Sequence, residues 1–477
     1  MDKRPGVRLQ RDLLACTADG ATFSVMVGLG ETYLAAFALA LGLGERAAGL
    51  IAAAPMLAGA VLQLAAPWAV QRIGSRRTWV VACAALQAAS LLLVSGVAFT
   101  HDRGRWLVFV AATLYWAAGM ATGPAWNVWV AQIIPAYIRP SFFARRARLC
   151  HLGVMVGFIT GGVALQFGHQ QGVTMSVFAA LFAIASLFRF VSAGMLALQS
   201  EPRGVKPYEA PALRDLTART EGEPFWRILT YMLLVQFAVH LASPYFTPFM
   251  ISHLQLSYGG YATLIALAFV GKIAAMSWAG TLAARLGPRR LLWIAGLGIA
   301  PLSAGWLISQ SFMWLAMLQV VGGCAWAAYE LAMLLVFFDA IPSERRTAVL
   351  TLYNLGNAVA IATGAFAGAA ILGRWGETRE VYLALFALSS AARLFSMAVL
   401  PCVPRRATDL TPLTRTLAVR PEEGSLERPV LAGAENAATP PVATLPAREE
   451  SRPVQSLPKP ACEANSDAAR LPAKQFA

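Results

Sequence analysis

Few residues in this chain of 477 are equipped for chemistry, and those few sit where charge is costly. Glu31 stands in Gly28-Leu-Gly-Glu-Thr-Tyr33, within a long apolar run. Glu330 follows Tyr329 in a second run, and His240 and Lys272 interrupt two more. A charge at mid-bilayer costs at least about 2.5–3.5 kcal/mol on insertion scales, so each needs a partner, a water-filled cavity or a purpose. Carboxylates in such places are the groups that hold a polar part of a solute or carry a proton. The plainer alternative is an acid satisfied by a neighbouring Thr, Tyr or Arg, which ties helices together. Lys272 is the deepest of the cations and is placed to pair with an acid or with an anionic solute. Arg189 and Arg393, nearer the ends of their runs, are expected to snorkel and serve structure.

A second group is polar or aromatic without being charged. In His240-Leu-Ala-Ser-Pro-Tyr-Phe-Thr-Pro-Phe-Met250, Pro244 and Pro248 free backbone carbonyls, while Tyr245 and Phe246 offer an aromatic wall. An ordinary kinked helix with lipid-facing rings has the same spelling. His240 is of the one residue type that ordinarily titrates near neutral pH, yet a lone histidine also serves as a hydrogen-bonded packing residue. Asn127, between Trp126 and Trp129, is placed for ligand contact, whereas Trp129 reads as an interfacial anchor. Asn354 and Asn357 are further polar contacts in an apolar run.

The elements that must position these residues are membrane spans. Hydrophobic residues make up 57% of the chain and charged ones 13%, and the mean hydropathy is +0.56. That is a polytopic membrane protein, all-α, and not a soluble globule. A net charge of +14 would suit nucleic acid, but the basic residues fall in short loops between apolar runs and on no single soluble face. With about 20 residues needed to cross a bilayer, twelve runs qualify, at approximately 19–42, 47–70, 78–99, 106–134, 150–168, 173–198, 227–251, 260–284, 290–309, 312–339, 348–372 and 380–402. Roughly 21 Lys and Arg lie in the N-terminal segment and the loops after even-numbered runs, including Arg139, Arg145, Arg146, Arg148, Arg345 and Arg346, against about five opposite. Both termini are therefore expected in the cytoplasm.

A short basic turn occurs twice. Pro67-Trp-Ala-Val-Gln-Arg-Ile-Gly-Ser-Arg-Arg77 and Gly280-Thr-Leu-Ala-Ala-Arg-Leu-Gly-Pro-Arg-Arg290 share the spacing of Arg72, Gly74, Arg76 and Arg77 with Arg285, Gly287, Arg289 and Arg290. Arginines hold the turn at a membrane surface and glycine lets the next helix run straight back. Ile134-Pro135 with Arg139 parallels Ile341-Pro342 with Arg346, and Gly157 and Gly161 parallel Gly364 and Gly368. The repeat implies two pseudo-symmetric six-helix bundles.

This turn resembles the Gly-x-x-x-Asp-Arg-x-Gly-x-Arg-Arg loop of the major facilitator superfamily and its weaker second copy. Pro67 replaces the first glycine of copy one, and the family's aspartate is Gln71 in one copy and Ala284 in the other. The resemblance implies a central cavity lined by spans 1, 4, 7 and 10, which places Glu31 with Tyr33, Asn127, the 240–250 stretch and Glu330 beside solute or proton. Counting from the turn, Glu31 corresponds to Pro244. The glycine-rich fifth run, Gly153, Gly157, Gly161 and Gly162, is similar to that of drug/proton antiporters but lacks their Gly-Pro pair, and close packing explains it.

The remaining segments are simpler. Residues 1–18 are a polar N-terminal segment, and Leu13-Leu-Ala-Cys16 lacks the apolar stretch a signal peptide needs. Halves at 19–198 and 227–403 are joined by a proline-bearing linker, 199–226, and followed by a polar tail, 404–477, that reads as disordered. The six cysteines show no paired spacing, so neither disulfides nor a thiolate metal site is expected. No catalytic set, Walker sequence or metal-ligand cluster appears, so an enzyme is not expected, nor a cofactor. The expectation is a monomeric, proton-coupled carrier of an apolar or amphipathic solute in the cell membrane, exporting in preference to importing. Uptake of a nutrient or organic acid, or a transporter-like sensor that does not transport, are the alternatives.

Overall fold

The computed structural model describes residues 5–51, 53–63, 65–100, 105–135, 138–201, 225–340 and 346–402. Most of the linker and the whole tail lie outside the described residues. Among those described there are helices and turns but no strand. Twelve helical stretches are long and apolar enough to cross a membrane: span 1 (Arg8–Ala40), span 2 (Glu45–Leu62), span 3 (Arg76–Val97), span 4 (Leu107–Asn127), span 5 (Arg145–Gln170), span 6 (Thr174–Leu198), span 7 (Trp226–His253), span 8 (Tyr258–Met276), span 9 (Pro288–Ile308), span 10 (Phe312–Met333), span 11 (Tyr353–Trp375) and span 12 (Arg379–Leu400). An even number of crossings leaves residues 5 and 402 on one face, called here the near face; the other is the far face. Leu93, Leu187 and Trp278 are among the large apolar side chains turned outward, an arrangement hydrocarbon favours and water does not.

The largest difference from the apolar count is at the start. The first helix begins at Pro5, not near residue 19. Polar residues in its first turns do not stop it because Cys16 packs into a cluster with Trp126, Trp129 and Phe143, with Leu13 against its edge. Trp129 is accordingly no interfacial anchor. It is fully buried, and its indole N–H donates to the Ser200 carbonyl at 3.0 Å.

Spans 1 and 7 break at matching places. In span 1 the α-helix stops at Leu29 and a 3-10 turn runs over Glu31–Tyr33. In span 7 it stops at His240, a 3-10 turn runs over Ser243–Tyr245 and a π-turn follows over Phe249–His253. The second break is forced by Pro244 and Pro248, which have no N–H to give to the helix. The first has no proline; Gly28 and Gly30 flank it. Each break ends on a buried tyrosine whose hydroxyl donates across to a glycine-rich helix, Tyr33 to the Phe158 carbonyl and Tyr245 to that of Ala365. This register pairs Glu31 with Ser243 and corrects the count from the basic turn, which gave Pro244. The chain from break to turn is one residue longer in the second half.

The paired glycines have a shared cause. A Cβ on Gly157 would lie 2.6 Å from the Val25 carbonyl oxygen, and one on Gly364 would lie 2.5 Å from that of Phe237. Gly161 and Gly368 in turn make room for the rings of Tyr33 and Tyr245. Helix backbones meet there, and only glycine fits between them.

The two basic turns form as expected. Gly74 adopts φ 72° and Gly287 φ 80°, the left-handed side that glycine alone enters freely. Arg72, Arg77, Arg285 and Arg290 are exposed on the near face with Gln71, and Arg72 lies over the Trp68 ring. Nothing presses on Gly280, and Arg289 is half-buried. Arg76 is buried, with its guanidinium on Gln132 at 3.0 Å. An acid does reach the first turn, from an unexpected place. Glu201, just past span 6, accepts from the backbone N–H of Arg76 at 2.7 Å and Arg77 at 3.2 Å and from the Ser75 hydroxyl at 2.7 Å, capping span 3.

Candidate functional site

The breaks in spans 1 and 7 open onto a cavity of about 200 Å³ between the halves. Glu31, Thr32, Ser243 and Thr247 reach it from the broken segments, and Gln319 and Ser303 from spans 10 and 9. The walls are aromatic: Trp116 and Phe158 on one side, Phe246, Tyr261, Trp306 and Trp326 on the other. Phe246 is held by Phe386, with ring centroids 4.4 Å apart, and by Trp306 at 4.9 Å. Glu31 is the one acid among the described residues of this lining, and Tyr115 donates its hydroxyl to Oε2 at 2.8 Å. Arg393 closes the cavity from span 12. Such a chamber suits a solute with a flat or apolar body and a few hydrogen-bonding groups.

Of the residues singled out from sequence, Glu31, Pro244, Phe246 and Arg393 line the cavity. Tyr33 and Tyr245 do not; they are buried behind it, fixing the helix breaks. His240 is buried too, with Nδ1 2.9 Å from the Gln236 carbonyl one turn earlier. Lys272 and Glu330 pair with each other, Nζ to Oε1 at 2.7 Å, one turn beyond the lining residues Ala268 and Trp326. Asn127 and Asn357 lie outside the lining, Asn357 nearly fully buried.

Arg189 and Arg393 do not snorkel. Both are buried, and each turns back into its own half: Arg189 Nε donates to Gln87 at 2.8 Å, and Arg393 Nη1 to the Ile299 carbonyl at 3.1 Å. Arg189 belongs to a cluster that the sequence reading missed. Asp19 is fully buried between two arginines, with Oδ2 3.2 Å from Arg146 and Oδ1 4.0 Å from Arg189. Ser192 joins them, taking a hydrogen bond from Arg189 and giving one to Asp19 at 2.7 Å. Arg146 also lies over the Trp126 ring, at 4.9 Å. Counted by loop, Arg146 looked like one of several topology charges. One signal was available: Ser186-Leu-Phe-Arg-Phe-Val-Ser192 recurs in pattern as Ser390-Ala-Ala-Arg-Leu-Phe-Ser396, a repeat too regular for two chance snorkelling cations. Among the described residues no group of His, Cys, Asp and Glu could hold a metal ion.

The profile of the Major Facilitator Superfamily matches residues 13–309 and 228–442. No curated protein matches the chain. Among solved structures, a mutant of the nucleoside transporter NupG aligns at a TM-score of 0.60 with 12% identity, over 81% of this chain and 99% of that one. A D-xylose–proton symporter gives 0.60 with 14% identity, over 81% and 97%. A bacterial homologue of the human lysosomal transporter Spinster, inward-facing and unoccupied, gives 0.56 with 16% identity, over 84% and 96%. At these identities the structural likeness speaks for the fold, and the family profile, which covers both halves, carries the assignment. The chain belongs to the Major Facilitator Superfamily: it is a multi-pass membrane transporter that works by alternating access.

Proposed function

We propose that the protein moves a small amphipathic solute, coupled to protons, with Glu31 as the coupling group. The observation that carries this reading is that Glu31 is the acid lining the cavity, in a break of the helix, beside aromatic walls. Three other acids in the spans are held elsewhere: Asp12 by the Ser200 N–H and hydroxyl, Asp19 between two guanidiniums, and Glu330 by Lys272. A proton arriving on Glu31 would change its affinity for solute and the relative stability of the two access states, which is what coupling requires. Residues 19–198 and 227–403 would be the two rocking halves, joined by 199–226, in a monomer with both termini cytoplasmic. Export is the favoured direction.

The test is solute flux in proteoliposomes, screening dyes, sugars, nucleosides, amino acids and organic acids with and without an imposed pH gradient. Gradient-driven uptake of one amphipathic class is expected. Flux of every transported solute at a rate that ignores the gradient would contradict coupling. Removal of residues 404–477 is expected to leave that flux intact; loss of all output with binding retained would favour a sensor.

A further inference from the structure

A cluster of ionisable groups on the far face, remote from the cavity lining, bridges the halves. Glu45 and Arg46 begin span 2; His253 ends span 7; Glu377 and Tyr382 stand where span 11 gives way to span 12. Arg46 Nε meets Glu377 Oε1 at 2.6 Å. Glu45 Oε2 lies 3.1 Å from His253 Nε2 and takes a hydrogen bond from the Tyr382 hydroxyl. Every one of these contacts joins the N-terminal half to the C-terminal half. The ends of spans 5 and 8 close beside them, where Gln166 accepts from the Gly259 N–H at 3.1 Å. Opening the far face would therefore separate Glu45 from His253 and Tyr382, and Arg46 from Glu377.

We propose that Glu45 and His253 form a proton-binding latch: protonation of His253 holds the far face shut, and its loss releases it. An imidazolium donates to Glu45 Oε2 and attracts its charge, whereas neutral imidazole supplies at most a neutral hydrogen bond. The other groups facing the pair do not reverse this sign. Tyr382 donates to the same oxygen, Arg46 and Glu377 neutralise each other, and Arg374, Arg379 and Glu380 lie at the exposed rim. Glu380 is within electrostatic reach of both His253 and Arg379. The latch is thus stronger with the imidazole charged than with it neutral. The rings connect latch to cavity. His253 touches Tyr382, Tyr382 and Phe249 touch Phe386, and Phe386 stacks on the cavity residue Phe246.

The test uses full-length protein in nanodiscs with spin labels at Phe99→Cys and Met313→Cys, exposed far-face positions in opposite halves, on a background without other reactive cysteines. Distance distributions by pulsed electron resonance at pH 5.5 and 8 give the ratio of short (closed) to long (open) populations. The ratio is expected to fall by roughly three- to tenfold between them, as for one charge-assisted pair. His253→Gln should flatten the response, and His253→Lys should keep the short population at both pH values. Glu45→Gln should flatten it as well, an independent route should either His253 variant fail to fold. A wild-type ratio that does not move or rises with pH, or a response unchanged in His253→Gln or Glu45→Gln, would overturn the latch.

Discussion

At the near end of the N-terminal half Asp19 sits between Arg146 and Arg189; the same places in the C-terminal half hold Tyr231, Tyr353 and Arg393. The register that puts Tyr33 on Tyr245 puts Asp19 on Tyr231, and that of Gly157 on Gly364 puts Arg146 on Tyr353. One half is thus tied by a buried ion cluster, and the other by buried phenol rings with an arginine turned onto a backbone carbonyl. Tyr231 and Tyr329 lie with ring centroids 6.5 Å apart, and all three tyrosines there are buried. The fold tolerates both solutions, so the charge in the first half is not required by the architecture. It ties three helices, spans 1, 5 and 6, together on the near side of Glu31. The second half, without a buried acid at this place, keeps its paired charges, Lys272 and Glu330, higher up beside the cavity.

The most severe way to break this comparison is Asp19→Asn. Two buried guanidiniums would lose their counter-charge, and a loss of about 3–5 kcal/mol is expected, read as a large fall in the thermal unfolding midpoint in detergent. Its counterpart Tyr231→Phe should cost about 1 kcal/mol or less. Equal shifts in the two variants would show that the halves are stabilised alike. Next comes the feature the halves share. Gly157→Ala and Gly364→Ala each drive a methyl into a carbonyl oxygen, and each should cost about 1–3 kcal/mol, in nearly equal amounts. A large effect in one half alone would mean the symmetry of packing is not a symmetry of energy. The smallest effect belongs to Tyr115→Phe. It removes one hydrogen bond to Glu31, at about 0.5–1.5 kcal/mol, and should shift the pH profile of flux while leaving stability almost unchanged. A structural role alone would move the unfolding midpoint and not the profile.

What was legible in the sequence follows the physics of each signal. Hydrophobic length marks spans, because every crossing must satisfy it, and twelve runs became twelve spans. Gly74 and Gly287 were legible because a backbone turn can be read from residue type. The paired glycines of spans 5 and 11 were visible as a repeat, though not what they pack against. Facing was the missing information. Tyr33 and Glu31 are two residues apart, yet one points into packing and the other into the cavity, and the unwound turn that decides this leaves no proline in span 1. Asp19 and Arg146 were overlooked for a related reason: each lies at the edge of an apolar run, where charge is ordinarily solvated, and only the packing of span 1 on spans 5 and 6 buries them. Trp116, Trp306 and Trp326 line the cavity, and nothing in their apolar runs sets them apart from other tryptophans.

The central claim concerns Glu31 against its symmetry mate Ser243, and one measurement sets them side by side: gradient-driven solute flux in proteoliposomes for Glu31→Gln and for Ser243→Ala. The expected result is that Glu31→Gln keeps solute exchange at equal pH and loses its acceleration by a pH gradient, while Ser243→Ala retains that acceleration. Gradient-driven flux that survives in Glu31→Gln, or fails equally in both variants, would contradict the assignment of the proton to the first half.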